Sequence, residues 1–128
     1  GRIHTVDVGL YDGPEELWRR LGLRHLIERL QGDSKTIEPM PDDVGFGWLD
    51  ADHGDDHLVI EFAHLFPHLN QKNAIVGFHD TKLDKRMSPG IKEILASGNL
   101  QSAYRHVSHV ALRNMRGLDL IFLSNENL

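Results

Sequence analysis

The residues best suited to chemistry stand directly after two apolar runs. VGFGWL (44–49) ends in Asp50-Ala51-Asp52-His53, and AIVGF (74–78) ends in His79-Asp80. If the two runs are neighbouring strands, Asp50 and the His79-Asp80 pair lie a few ångströms apart. Two or three oxygen ligands around one point suit a hard cation such as Mg²⁺ or Ca²⁺. An imidazole ligand shifts the preference toward Mn²⁺, Fe²⁺ or Zn²⁺. Without a metal, the same carboxylates would cap helices and hydrogen-bond a bound ligand. Two further places carry acid groups at turns. Asp7 closes RIHTVDV, where a carboxylate can accept two hydrogen bonds from a ribose diol or simply cap the next segment. Gly32-Asp33-Ser34 reads as a loop bordering an adenine edge, or as an ordinary turn. His53-Gly54-Asp55-Asp56-His57 has the look of a metalloprotease helix. It lacks the glutamate after the first histidine, and Gly54 interrupts the helix that motif requires.

These groups need elements to hold them. RIHTVDV (2–8) has the β-branched, apolar content of a short strand and stops at a turn carrying Asp7, Gly9, Asp12 and Gly13. Pro14, Glu15 and Glu16 suit the first turn of a helix, EELWRRLGL, with Leu17, Leu21 and Trp18 as its apolar side. HLIERLQ (25–31) reads as a strand end, closed by the Gly32-Asp33-Ser34 turn. Residues 35–43, with Pro39 and Pro41, read as a loop or short helix. VGFGWL reads as a strand covered on both faces. Asp55 is placed to cap a helix over 56–68, packed through Leu58, Ile60, Phe62, Leu65, Phe66 and Leu69. His57, His64 and His68 follow helical spacing at its rim. A second buried strand at 74–78 is followed by a helix opened by Ser88-Pro89 and stopped at Gly98. YRHVSHVAL (104–112) and LDLIFLS (118–124) read as an antiparallel pair; His106 and His109 alternate on the first without an evident partner.

Alternating strands and helices predict an α/β fold: a mostly parallel sheet with a C-terminal antiparallel hairpin. Ligands bind such sheets beyond the carboxyl ends of the strands. Asp7, Asp33, Asp50, Asp52, His53, His79 and Asp80 are all predicted at those ends.

The bulk composition bounds the partners. The 128 residues, 40% hydrophobic and 26% charged, fit one globular domain. Zero cysteines exclude disulfides and thiolate metal sites, as expected of a cytoplasmic protein. Net charge is −5 with histidine neutral, which disfavours nucleic acid as a partner. Lys82, Lys85 and Arg86, three charges in a loop, read as a solvated surface rather than a binding patch. No apolar run is long enough to span a membrane and no signal peptide is visible, so no membrane association is expected.

LDADH…FPHLNQKNAIVGFHDT, with Thr5-Val6-Asp7 and Gly32-Asp33-Ser34, resembles the class I S-adenosylmethionine (SAM)-dependent methyltransferases. The similarity is nearest to small-molecule O-methyltransferase branches, some of them metal-dependent, in which one strand ends in [IVL]-D-x-D-[HK] and the next in an acidic pair or His-Asp. The resemblance implies a Rossmann-like sheet with SAM as cofactor and a small hydroxylated acceptor. By it, Asp7 binds the SAM ribose, Asp33 and Ser34 border the adenine, and Asp50 sits near the methionyl part. Asp50, His79 and Asp80 are the implied ligands of a divalent cation, Mg²⁺ or Mn²⁺, with His79 in place of the usual carboxylate. Asp52 or His53 is the implied base toward the acceptor hydroxyl.

The family also has a first strand and a Gly-rich loop ahead of an element like RIHTVDV. The G-x-G pattern occurs here only at Gly45-Phe46-Gly47, inside an apolar strand. In the family that first strand lies between the strand ending at Asp7 and the strand ending at Asp50. Without it, two half-sheets would face a gap, and each buried unpaired backbone group costs about 1–3 kcal/mol. The expectation is therefore a single methyltransferase-like domain over 1–128 that is incomplete at its N-terminal side. Two other functions fit the same residues: a methyltransferase-like scaffold without catalysis, and a metal-dependent hydrolase or hydroxylase using Asp50, His79 and Asp80. A C-terminal edge strand would also suit homo-oligomer formation.

Overall fold

The computed structural model describes residues 1–9, 11–50, 56–82, 87–112 and 116–127. The chain divides into two compact units, Gly1–Met40 and Pro41–Leu128, each with its own sheet.

In the first unit β1 (Ile3–Asp7) pairs in parallel with β2 (Ile27–Gln31), Ile3 opposite Ile27 and Asp7 opposite Gln31. The crossover is α1 (Asp12–Arg20) and a 3₁₀ turn at Arg24–Leu26. Pro14 sits in the first turn of α1, with Asp12 and Glu15 at its positive end and Arg19 and Arg20 at its negative end. Glu16 bonds both arginines, and Glu15 holds Arg24. The predicted apolar side of α1 is largely uncovered: Leu17 and Leu21 are exposed, and Trp18 is half-buried, with the Arg29 guanidinium 5.7 Å from its ring centre. A two-stranded sheet has too little surface to bury a helix face. Residues 35–43 hold no helix or strand.

In the second unit four strands lie in the order β3-β4-β6-β5. β3 (Phe46–Leu49) runs parallel to β4 (Asn73–His79), so both carboxyl ends open on one edge. β6 (Leu118–Ser124) runs antiparallel to β4 on one side and to β5 (His106–Leu112) on the other. The predicted hairpin forms, with its second strand inserted next to β4. Between β3 and β4 lies α2 (His57–Leu65), extended by a 3₁₀ turn at Phe66–His68. Leu58, Phe62 and Leu65 form its buried stripe, at helical spacing. Ile60 falls off that stripe and is exposed, contrary to the packing expected from the sequence. The expected cap Asp55 lies outside the described residues. α3 (Met87–Ala96) matches the predicted third helix, and the short α4 (Gly98–Ala103) is an addition to it.

The core of this unit is built from Val76 and Phe78 of β4, Ile121 and Leu123 of β6, the α2 stripe, and Ile91 and Ile94 of α3. Polar groups enter it too, Glu61 of α2 among them. Asp119 of β6 is 2% exposed and meets His109 Nε2 of β5 at 2.6 Å. That supplies the partner for His109 that the sequence did not reveal.

Candidate functional site

Each unit brings predicted site residues to the carboxyl edge of its own parallel strand pair. In the first, Asp7 ends β1 and its Oδ1 accepts the Gly9 N–H at 3.1 Å. The Gly32 N–H donates to the Asp7 backbone carbonyl at 2.9 Å, which ties the Gly32-Asp33-Ser34 turn to the end of β1. Asp33 Oδ1 accepts from the Lys35 N–H at 2.9 Å, and the Asp33 carbonyl accepts from Thr36 and Ile37. Both aspartates are exposed, Ser34 is half-buried, and the local bonding is that of turn aspartates. The Gly32-Asp33-Ser34 turn thus adjoins the end of β1, and Asp7 beside it is exposed.

In the second unit the parallel alignment of β3 and β4 places Leu49 opposite Phe78 and brings the following residues together. His79 Nδ1 is 3.0 Å from Asp50 Oδ1 and 3.3 Å from Asp80 Oδ1. One ligand atom from each of Asp50, His79 and Asp80 fits within a 4.8 Å group, as the sequence predicted. In the tautomer with a proton on Nδ1 the ring donates toward these carboxylates and Nε2 is the acceptor. Trp48 of β3 lies beside the imidazole, ring centres 5.8 Å apart, and its own ring packs over Gly77, where a Cβ would meet it at 2.7 Å.

The group that sequence reasoning missed is Arg116. Its Nε and one terminal nitrogen donate to the two oxygens of Asp80, both at 2.6 Å. The Asp80 carboxylate, and Asp50 more weakly, hold the Arg116 guanidinium above its ordinary pKa. Asp80 itself is 7% exposed and has a left-handed backbone, φ 59°. Lys82 N–H donates to the Arg116 carbonyl at 3.0 Å, so the strand ends carrying the pair are tied through the main chain as well. Next to it, the Thr81 hydroxyl is buried with no hydrogen-bond partner among the described residues. A signal for Arg116 existed: an antiparallel strand at 118–124 beside 73–79 sets the residues just before Leu118 against those just after His79. The predicted catalytic pair, Asp52 and His53, lies outside the described residues.

No protein-family model matches the sequence, and no curated protein matches it. Solved structures do match. A Klebsiella pneumoniae protein provisionally assigned as an O-methyltransferase superposes with TM-score 0.68 at 12% identity, over 97% of this chain and 62% of its own. A Geobacter sulfurreducens methyltransferase superposes with TM-score 0.67 at 15% identity, over 95% and 58%. A methyltransferase from Podospora anserina, solved with S-adenosylhomocysteine (SAH) bound, gives TM-score 0.61 at 14% identity, over 97% and 61%.

The fold is the Rossmann-like fold of methyltransferases.

The chain spans about three fifths of the length of the methyltransferases it matches. The strand pairs β1–β2 and β3–β4, with β6 between β4 and β5, carry that fold here. Among the described residues, no helix is long and apolar enough to cross a membrane.

Proposed function

We propose that this chain belongs to a SAM-dependent methyltransferase that methylates a hydroxyl oxygen of a small acceptor. The observation that carries the reading is the pairing of a methyltransferase fold with acid groups at the strand ends where such folds hold their ligands. Asp7 would accept the ribose hydroxyls, and Asp33 and Ser34 would line the adenine side. Their chemistry fits: Asp7 is exposed and its described hydrogen bond occupies Oδ1 only. Asp50 would face the methionyl end. When bound, SAM supplies the methyl group on its sulfonium; this chain's residues orient the acceptor and take its proton.

Asp52 and His53 remain the proposed base on the strength of the family resemblance. Among the described residues His79 has the arrangement of a base. Its Nδ1 is fixed by Asp50, which leaves Nε2 for the hydroxyl proton. A divalent cation fits the cluster less well. Its three ligand atoms converge, yet both oxygens of Asp80 already serve Arg116. The mechanism therefore has no metal step, and the hydrolase alternative loses its metal on the same ground.

Titration calorimetry with SAM and SAH tests the reading. A charge-assisted hydrogen bond contributes about 1.5–3 kcal/mol, so Asp7→Ala should weaken binding by roughly 10- to 100-fold, and Asp7→Asn by less. Absence of heat with the intact protein, or Asp7→Ala binding like the parent, would refute it.

A further inference from the structure

We propose that Arg116 is the resident cation of the Asp50–His79–Asp80 cluster, filling the role that a divalent metal ion would otherwise have. This concerns what neutralises the cluster and holds whether or not SAM is the cofactor. The geometry is that of a dedicated pair. The two parallel bonds to Asp80 are both 2.6 Å, the fork-to-fork form in which arginine binds a carboxylate with the most directionality. The acceptor is fixed: the Asp80 side chain is 11% exposed and leaves a left-handed backbone position. The donor is fixed through its own main chain, by the Lys82 N–H on the Arg116 carbonyl at 3.0 Å. Gly117 has φ 85°, and a Cβ there would strike the Lys82 amide, so this closeness is built into the turn.

Charge completes the argument. With Arg116 paired to Asp80, Asp50 is left as the one carboxylate of the cluster that does not meet the guanidinium in a hydrogen bond among the described residues. Affinity for hard divalent cations rises with the number of ligand charges, and one carboxylate is few. A metal ion would have to displace the guanidinium from both Asp80 oxygens or bind beside a like charge. Asp50 is also the more exposed acid, at 43% against 11% for Asp80, so the acid buried against Arg116 is the one least available to an incoming ion. The remaining guanidinium N–H groups point from a side chain that is 59% exposed, which leaves a positive edge at the cluster's mouth.

The test is Mn²⁺ binding by the intact protein, read by electron paramagnetic resonance and calorimetry. The parent should show no saturable site below about 1 mM, and Arg116→Gln should gain at least about tenfold in affinity. Adding Asp50→Asn to Arg116→Gln should remove the gain. Arg116→Lys, which keeps the charge and loses the fork, should stay as weak as the parent. Stoichiometric Mn²⁺ uptake by the parent at micromolar concentration, or an Arg116→Gln variant that is folded by circular dichroism yet binds no tighter, overturns the proposal. Should Arg116→Gln fail to fold, nuclear magnetic resonance on the parent decides. The Arg116 Nε–H should be slow to exchange, lost in Asp80→Asn, and unbroadened by substoichiometric Mn²⁺. Selective broadening of that resonance overturns the proposal by itself.

Discussion

Gly117→Ala is the perturbation that reads the cluster most directly without touching a charged group. Gly117 lies between Arg116 and β6 with φ 85°, a region where alanine is disfavoured by about 1 kcal/mol. A methyl at this position would collide with the Lys82 amide nitrogen, and would lie 2.6 Å from Lys82 Cβ and 2.8 Å from Thr81 Oγ1. The first of these obstacles is backbone, so the two strand ends have to separate. Separation breaks the Lys82 N–H to Arg116 carbonyl bond, now 3.0 Å, for roughly another 1 kcal/mol. With the strain of moving the chain, the total cost is roughly 2–4 kcal/mol, which lowers the melting temperature of a domain of this size by roughly 10–25 °C. Denaturant and thermal melts followed by tryptophan fluorescence measure it, since Trp48 packs beside His79. The variant should also lose the slow-exchanging Arg116 Nε–H. A loss under about 1 kcal/mol with that signal intact would refute the close approach of Gly117 to Lys82 on which the argument stands.

Three further expectations follow from the second unit. Phe78→Ala empties a fully buried position whose ring centre is 6.3 Å from that of Phe62, and should cost about 3–5 kcal/mol in urea titration; a loss under about 1.5 kcal/mol would mean that the site collapses or is misplaced. His109→Ala strips a partner from buried Asp119 and should cost about 1–3 kcal/mol, with His109→Gln recovering part; a neutral alanine variant would show that the pair does not form. Tyr104 is 2% exposed, donates to the Asn70 carbonyl at 3.0 Å, and has its pKa raised by burial. The unfolded chain releases that proton near pH 10 while the folded one keeps it, so stability is constant below about pH 10 and falls above it, by at most about 1.4 kcal/mol per pH unit. The difference between parent and Tyr104→Phe should therefore shrink as pH rises above about 10, and a difference that does not change with pH would contradict the burial.

What the sequence could show was set by the range of the interactions involved. β4 and β6 are compact apolar runs, and the sequence places both within a residue or so of where they form. The Asp50–His79–Asp80 group was also legible, because parallel neighbours ending in polar residues can only gather them at one edge. The insertion of β6 beside β4 was not legible, since no local pattern distinguishes a hairpin that ends a sheet from one whose second strand enters it. That one fact hid Arg116, 36 residues from Asp80, and the lack of a named partner for His109 came from the same limit on reading pairings. α4 was missed because GNLQSA has little apolar periodicity and carries residues that favour turns. Ile60 was misplaced because its hydrophobicity was counted while its angle from the Leu58–Phe62–Leu65 stripe was not.

The two units differ most in what holds them. Within Gly1–Met40 the one buried apolar side chain among the described residues is Ile27, whereas Ile3, Leu17, Leu21 and Leu23 are exposed. Burial of apolar surface is the dominant favourable term in folding, and two strands with one helix rarely bury enough. The β1–β2 amides should therefore exchange with deuterium through local opening that costs far less free energy than opening of β4 and β6. The proposed ribose and adenine contacts, Asp7, Asp33 and Ser34, all belong to this weak unit. If they hold SAM, part of the binding energy orders it: at a ligand concentration of about 100 times Kd, protection of β1 and β2 should rise by about 2.7 kcal/mol. β4 and β6, whose opening is global in the second unit, should change less. Hydrogen exchange with and without SAM separates the cases. Equal protection of both sheets without ligand would refute the weak-unit argument, and SAM binding that leaves β1 and β2 unprotected would place the cofactor elsewhere than at Asp7.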